Sequence, residues 1–175
     1  AVIDPRWWEA EPIWTRLEKQ GKRTAPFLWP GSEAPIGGAM PDHWIRFSEA
    51  FTDDQRIAML ADLFEKPEGE WPDFMTMYWH HVDSAGHSAG PESAQVRTVA
   101  EQVDGALGRL LARLRARDAA LNVIVVSDHG MSQQSPARVI YLEDYIDLAT
   151  VETIDSSPNL GVFPKTLTAD EVYAR

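Results

Sequence analysis

The amino-acid sequence predicts an α/β fold, on three observations. From residue 53 onward, runs with helical periodicity alternate with short apolar, β-branched runs. Two of those apolar runs, residues 74–82 and 121–126, flank the longest amphipathic stretch of the chain. Both are apolar almost throughout, as strands covered on two faces are. Strand, long helix, strand is the mark of a crossover in a parallel sheet, so the expected architecture is a largely parallel sheet with helices on both faces.

Each element has its own signal. Residues 12–20 read as a short helix stopped by Gly21, and residues 23–29 as a strand. Residues 30–41 hold three glycines and three prolines and read as loop. Asp53 or Asp54 is the expected cap of a helix through Ile57, Leu60 and Leu63, which Pro67 and Gly69 end. After the strand at 74–82, Gly90-Pro91 opens the longest helix. Its Val96, Val99, Val103, Leu107, Leu110, Leu111 and Leu114 follow 3/4 spacing, while Arg97, Arg109, Arg113 and Arg117 lie on other faces, as a solvated surface would. Residues 121–126 form the second strand and residues 140–148 a short mixed segment. Residues 151–155 and 160–163 read as short strands, and Thr168 begins a last helix.

Composition narrows the function. With 16 Lys and Arg against 27 Asp and Glu, the 175 residues carry a net charge of −11, spread evenly, which argues against a nucleic-acid polymer or an anionic membrane as partner. The longest apolar run, residues 121–126, is far below the ~20 residues that span a bilayer. There is no cysteine, so a metal would need His, Asp, Glu or hydroxyl ligands. The chain begins Ala-Val-Ile-Asp-Pro, with no initiator Met and no apolar signal segment, and reads as a processed protein or a piece of one.

Chemistry gathers where the two central strands end. The first runs out into Tyr78-Trp79-His80-His81-Val82-Asp83-Ser84-Ala85-Gly86-His87 and the second into Val126-Ser127-Asp128-His129-Gly130-Met131. Parallel neighbours bring their carboxyl ends to one edge, which is where open α/β sheets bind ligands. Two Asp and two His meeting there are a donor mix suited to zinc or a similar divalent ion, with Gly86 expected to supply a tight bend between Asp83 and His87. His80 and His81 alternate sides on an extended strand, so at most one faces the rim, and both are read as supporting residues. A Ser-His-Asp hydrolase built on Ser84 or Ser127 is the rival, but neither serine sits in a G-x-S-x-G turn.

The sequence Asp83-Ser84-Ala85-Gly86-His87-Ser88-Ala89-Gly90-Pro91, followed across the long helix by Ser127-Asp128-His129-Gly130-Met131, closely resembles the nucleotide pyrophosphatase/phosphodiesterase family of the alkaline-phosphatase-like superfamily. Glu11-Pro12-Ile13-Trp14, Trp29-Pro30-Gly31-Ser32-Glu33 and Pro72-Asp73-Phe74-Met75-Thr76-Met77-Tyr78 extend the resemblance from about Trp8 to Arg175. It implies an alkaline-phosphatase-like α/β/α fold, of which residues 1–175 would be the central part of one catalytic domain. A Thr nucleophile and one Asp would precede the chain, and a last ligand His would follow it. The resemblance implies two zinc ions, with Asp83 and His87 on the first and Asp128 and His129 on the second. It implies hydrolysis of nucleotide phosphodiester or pyrophosphate bonds, and contacts to the nucleotide from Trp29, Glu33 and Phe47, Phe47 standing where a Tyr is common.

The same resemblance implies a periplasmic or extracellular setting. His80, His81 and Val82 replace the two acids and the proline that many relatives carry before the ligand Asp, which lowers negative charge beside it. Alternative functions are a phosphomonoesterase or phospholipid-type phosphodiesterase of the superfamily, or a catalytically silent metal-binding or interaction module. The isolated segment is expected to be inactive, and its exposed sheet edges to favour self-association.

Overall fold

A computed structural model describes residues 3–155 and 159–174. They fall into two compact units, residues 1–133 and 134–175. The first unit contains α1 (Ile13–Glu18), β1 (Thr24–Phe27), α2 (Asp53–Ala61), β2 (Phe74–Met77), α3 (His81–Ala89) and α4 (Ala94–Arg115). The second contains β3 (Val151–Asp155), β4 (Leu160–Pro164) and α5 (Ala169–Tyr173).

The α/β class holds, and its parallel ladder is β1 with β2. Thr24 pairs with Phe74, and Phe27 with Met77, with α2 in the connection. The start of the ladder is fixed by Asp73, whose carboxylate accepts the Arg23 amide (3.0 Å) and the Lys22 ammonium (3.3 Å). Its end is fixed by Leu28, which turns to φ +57, so the pairing cannot run on. That is why the strand expected over 74–82 stops at Met77 and gives way to α3. The Leu28 amide instead bonds to the Ile45 carbonyl (2.8 Å), bringing a third chain segment to the same edge.

Helix ends are set by local chemistry. Gly21, at φ +74, stops α1: its amide bonds to Glu18 O (2.9 Å) and that of Lys22 to Leu17 O (3.1 Å), closing the last turn. Thr52, rather than Asp53 or Asp54, caps α2, because its hydroxyl lies three residues before Gln55 and the two exchange bonds as a capping box. Asp53 and Asp54 occupy the first turn, where the helix dipole favours them. Gly90 closes α3 and Ser93 caps α4, so the long helix starts after Gly90-Pro91 rather than at it.

The core lies between β1, α2 and α4. Ala25, Phe27 and Leu28 meet Ile57, Leu60 and Ala61, and the four-residue spacing of Ala106, Leu110 and Leu114 closes the other side. The arginines of α4 do more than solvate a face. Arg109 reaches Asp54 (3.4 Å), Arg113 reaches Asp62 (3.0 Å), and Arg117 pairs with Glu65. These pairs are exposed and worth about 0–1 kcal/mol each, so they orient α4 while apolar burial holds it.

Residues 121–126 are the clearest departure from the expected fold. They make no ladder among the described residues, and Ile124, Val125 and Val126 are 84%, 74% and 70% exposed. A β-branched run fits a pleated surface, but a strand exists only where a neighbour takes its backbone bonds, and composition does not supply that neighbour. The crossover expected across α4 is therefore not closed, and α2 provides the crossover instead.

In the second unit, β3 and β4 pair antiparallel from Val151 with Pro164 to Asp155 with Leu160. Thr168 opens α5 as expected, in a capping box with Glu171. Leu142, Tyr145, Ile146, Val162 and Val172 line a small apolar hollow. Among the described residues no helix is long and apolar enough to cross a membrane.

Asp73→Ala is expected to destabilise the chain by about 1 kcal/mol at pH 7, the worth of a typical hydrogen bond. The Arg23 amide, and then Lys22, hold the Asp73 carboxyl below its ordinary value. The stabilisation is therefore full above the unfolded-state value near pH ~4 and fades as pH falls through the lower folded-state value. Urea unfolding of both proteins between pH 7 and pH 2.5 should show the gap closing below about pH 4; a gap constant over that range would contradict this account.

Candidate functional site

Parallel pairing sends the carboxyl ends of β1 and β2 to one edge. At the end of β1, Leu28 leads into Trp29-Pro30-Gly31-Ser32-Glu33; at the end of β2, Tyr78 leads through His80 into α3. Phe47 joins them, two residues beyond the Ile45 carbonyl that accepts the Leu28 amide.

The Trp29 loop is tightly built. Trp29 O accepts both the Ser32 amide (3.1 Å) and the Ser32 hydroxyl (2.8 Å). Gly31 sits at φ +85, and a β-carbon there would lie 2.7 Å from the Trp8 ring, so both backbone and packing demand glycine. Trp29 is half-buried against Trp14, Ala34 and Ile36. Glu33 is 8% exposed, and its Oε2 has no hydrogen-bond partner among the described residues. A buried carboxylate oxygen left in that state is one that a water or a ligand donor would satisfy.

Phe47 is half-buried and meets Tyr78 and His80 edge-to-face, with ring centroids 5.6 Å apart in both cases. The His80 and His81 rings stack at 4.3 Å, so the two do not alternate sides as an extended strand would require. The reason is that the chain has already left the strand by residue 78. Burial holds His80 below its ordinary pKa, assisted by His81 and Arg56, and so favours a neutral ring. Burial raises the Tyr78 hydroxyl, with Asp128 and Asp83 adding to it.

Asp83 and His87 lie one turn apart on α3, with Asp83 Oδ1 and His87 Nε2 3.5 Å apart. Gly86 is therefore helical rather than a bend, and its purpose is closeness. A β-carbon on Gly86 would stand 2.6 Å from the Met131 sulfur. That contact lays Met131 against α3 at Gly86, so the second motif lies beside the first even though 121–126 forms no strand. Asp83 also contributes to holding His129 above its ordinary pKa, after the Gly130 carbonyl and Asp128.

The second pair has similar geometry. His129 Nε2 and Asp128 Oδ2 are 3.6 Å apart, while Nδ1 lies 2.9 Å from the Gly130 carbonyl. A carbonyl can only accept, so Nδ1 carries the proton, and in the neutral ring Nε2 presents its lone pair, the usual arrangement of a metal-ligating histidine. Both N···O separations exceed a good hydrogen bond. They match the ~3.3–3.6 Å that separates two donors on one tetrahedral ion with bonds of ~2.0–2.2 Å. Among the described residues no three His, Asp or Glu side chains gather at one point, so each pair offers two donors.

The serine rival loses support at Ser127, whose hydroxyl bonds to the His129 carbonyl rather than to an imidazole nitrogen. Sequence reasoning missed Arg56, buried at the foot of the rim, and the contact of Met131 with Gly86. Arg56 left a signal, since it stands four residues before Leu60 and seven before Leu63, on the apolar face of α2.

Comparison with known proteins follows the same residues. A family model described as type I phosphodiesterase / nucleotide pyrophosphatase matches residues 1–175. Ectonucleotide pyrophosphatase/phosphodiesterase family member 3 of Rattus norvegicus is 40% identical over 144 residues, 81% of this chain and 16% of that protein. Family member 5 of Homo sapiens is 33% identical over 175 residues, 98% of this chain and 36% of that protein. An inactive murine ectonucleotide pyrophosphatase/phosphodiesterase 5, solved in complex with AMP, superposes with a TM-score of 0.85 at 34% identity, over 98% of this chain and 46% of that chain. The chain thus spans less than half the length of each of these relatives. The likeness also shows the fold to be alkaline-phosphatase-like α/β.

Gly86→Ala tests the meeting of the two motifs. Alanine gains up to about 1 kcal/mol of helix propensity over glycine, and the atom it strikes is the far end of a flexible Met131. The thermal midpoint should therefore stay level or rise, while the Met131 methyl resonance shifts and Asp128 and His129 move from α3. An unchanged Met131 resonance would contradict the contact.

Proposed function

The chain belongs to the type I phosphodiesterase / nucleotide pyrophosphatase family, and from that membership we propose that residues 1–175 are the central part of a metal-dependent catalytic domain hydrolysing phosphodiester or pyrophosphate bonds of nucleotides. The observation that carries the reading is the pair of N···O separations at 3.5 and 3.6 Å on two segments pressed together by Met131 and Gly86. Carboxylate oxygen and imidazole nitrogen are donors that zinc takes, and both spacings suit one ion. The donor types fit; the remaining ligands and the nucleophile belong, in this reading, to sequence flanking the 175 residues.

In this assignment Asp83 and His87 hold one ion and Asp128 and His129 the other. When bound, a zinc pair supplies charge that stabilises the transferred phosphoryl group and lowers the pKa of the attacking oxygen. The chain's own residues do the positioning. The Gly130 carbonyl keeps His129 in the tautomer that presents Nε2, and one helical turn keeps Asp83 and His87 on one side of α3. Trp29 and Phe47 stand at the rim as faces on which a base can stack, and the unpartnered Glu33 oxygen is an acceptor for an amino or hydroxyl donor. AMP in the related murine protein supports a nucleotide as the ligand class. The exposed apolar run at 123–126 supports self-association of the isolated chain.

Zinc calorimetry on the 175-residue chain, Asp83→Ala and His129→Ala tests the metal assignment. Weak binding by the chain should be reduced by each substitution, and binding unaltered in both variants would overturn it. Activity is tested in the longer protein that contains this segment. There Asp128→Asn is expected to cut zinc-dependent hydrolysis of an aryl ester of a nucleoside 5′-monophosphate by at least ~100-fold, since even residues that only support metal ligands cost 10–100-fold. Full turnover in that variant would overturn the reading. The 175 residues alone, offering two donors to each ion, are expected to show negligible turnover.

A further inference from the structure

We propose that Arg56 is a positioning residue for the nucleobase: its buried guanidinium fastens the Phe47 segment to the carboxyl end of β2 and thereby sets the Phe47 ring as the wall on which the base stacks. The inference rests on the reading of Phe47 as a nucleotide contact and adds to it the residue that holds Phe47 in place.

Arg56 is 0% exposed. Its Nε donates to Phe51 O (3.2 Å), Nη1 to Tyr78 O (2.8 Å) and Nη2 to Ser48 O (3.2 Å), and Nη2 lies 3.5 Å from His80 Nδ1. All of these partners are neutral. A cation taken out of water and hydrogen-bonded to carbonyls is costly even with the Asp53 carboxylate nearby to offset part of that cost. What the guanidinium adds is geometry, because its planar fork holds several donors in fixed directions. Here the fork joins two otherwise separate segments. Residues 48 and 51 lie in the irregular stretch that carries Phe47, and residue 78 is the first beyond β2.

The connection to Phe47 is short. Ser48 is its next residue, and the two rings that Phe47 touches, Tyr78 and His80, are the two residues of the β2 end that the guanidinium also meets. One group therefore grips both sides of the ring contact. Arg56 thus sets the orientation of Phe47.

The test uses the 175-residue chain with AMP as the probe, and the variants Arg56→Lys, Phe47→Ala and both together. Lysine keeps the charge but not the fork. Arg56→Lys should weaken or abolish the nuclear Overhauser contacts between the Phe47 and His80 rings and weaken AMP binding roughly 10-fold, within the range of a lost base stack. In the Phe47→Ala background the same change should leave AMP affinity where it is. Arg56→Lys with unaltered ring contacts and AMP affinity would overturn the role of Arg56 alone, as would an equal loss in the Phe47→Ala background, the mark of a merely structural residue. A chain that keeps the ring contacts but binds no AMP would overturn the base-site reading and this inference with it. If Arg56→Lys does not fold, Arg56→Met, which keeps the volume and drops the donors, takes its place with the same two readouts, and unaltered ring contacts and AMP affinity in it would overturn the proposal.

Discussion

Everything at the rim depends on the parallel ladder of β1 with β2. It is only four residue pairs long, yet it decides that Trp29, Phe47, Tyr78 and the start of α3 leave the sheet at the same edge. An antiparallel pairing of the same segments would put Trp29 and Asp83 at opposite ends. The ladder is bounded chemically on both sides, by the Asp73 carboxylate on the Arg23 amide and by the left-handed turn of Leu28. Leu28 is a bulky residue in a conformation that costs about 1–2 kcal/mol, and it is fully buried. The surrounding core therefore holds the backbone there, and that constraint is what throws the Trp29 segment outward and frees Tyr78 from the sheet.

The amino end of α2 is the second point of control. Thr52 and Gln55 close the capping box, Asp53 accepts the Trp79 indole N–H (3.0 Å), and Arg56 grips the carbonyls of residues 48, 51 and 78. One helical turn thus ties the stretch just before it to the end of β2. The ends of the chain's helices obey familiar local rules, but this turn spends its polar groups on neighbours rather than on itself. It is the reason an irregular stretch from 39 to 52 presents one defined aromatic ring.

Much of this was legible in the sequence. Glycine after an amphipathic run marked the end of α1, Thr168 marked the start of α5, and the apolar run before Asp83 marked β2. What escaped was what depends on a partner distant in the chain. Residues 121–126 have every property of a strand except a neighbour. Gly86 looked like a bend because glycine between polar residues usually is one, whereas its missing side chain serves the sulfur of a residue 45 positions later. Arg56 went unremarked, although its spacing to Leu60 placed it on the buried face.

Three long-range links of the first unit share a span. Thr24 pairs with Phe74, the Arg23 amide meets Asp73, and Arg113 meets Asp62, each across about fifty residues. Closing a loop of that length costs on the order of 3–4 kcal/mol of chain entropy before any contact is returned. The capped helices can form early and locally, but the ladder must wait for them to shorten the path between its strands. The binding edge rests on that ladder together with the shorter links of Leu28 to Ile45 and of Arg56 to Tyr78, so it is complete only once α2 has drawn the two strands together.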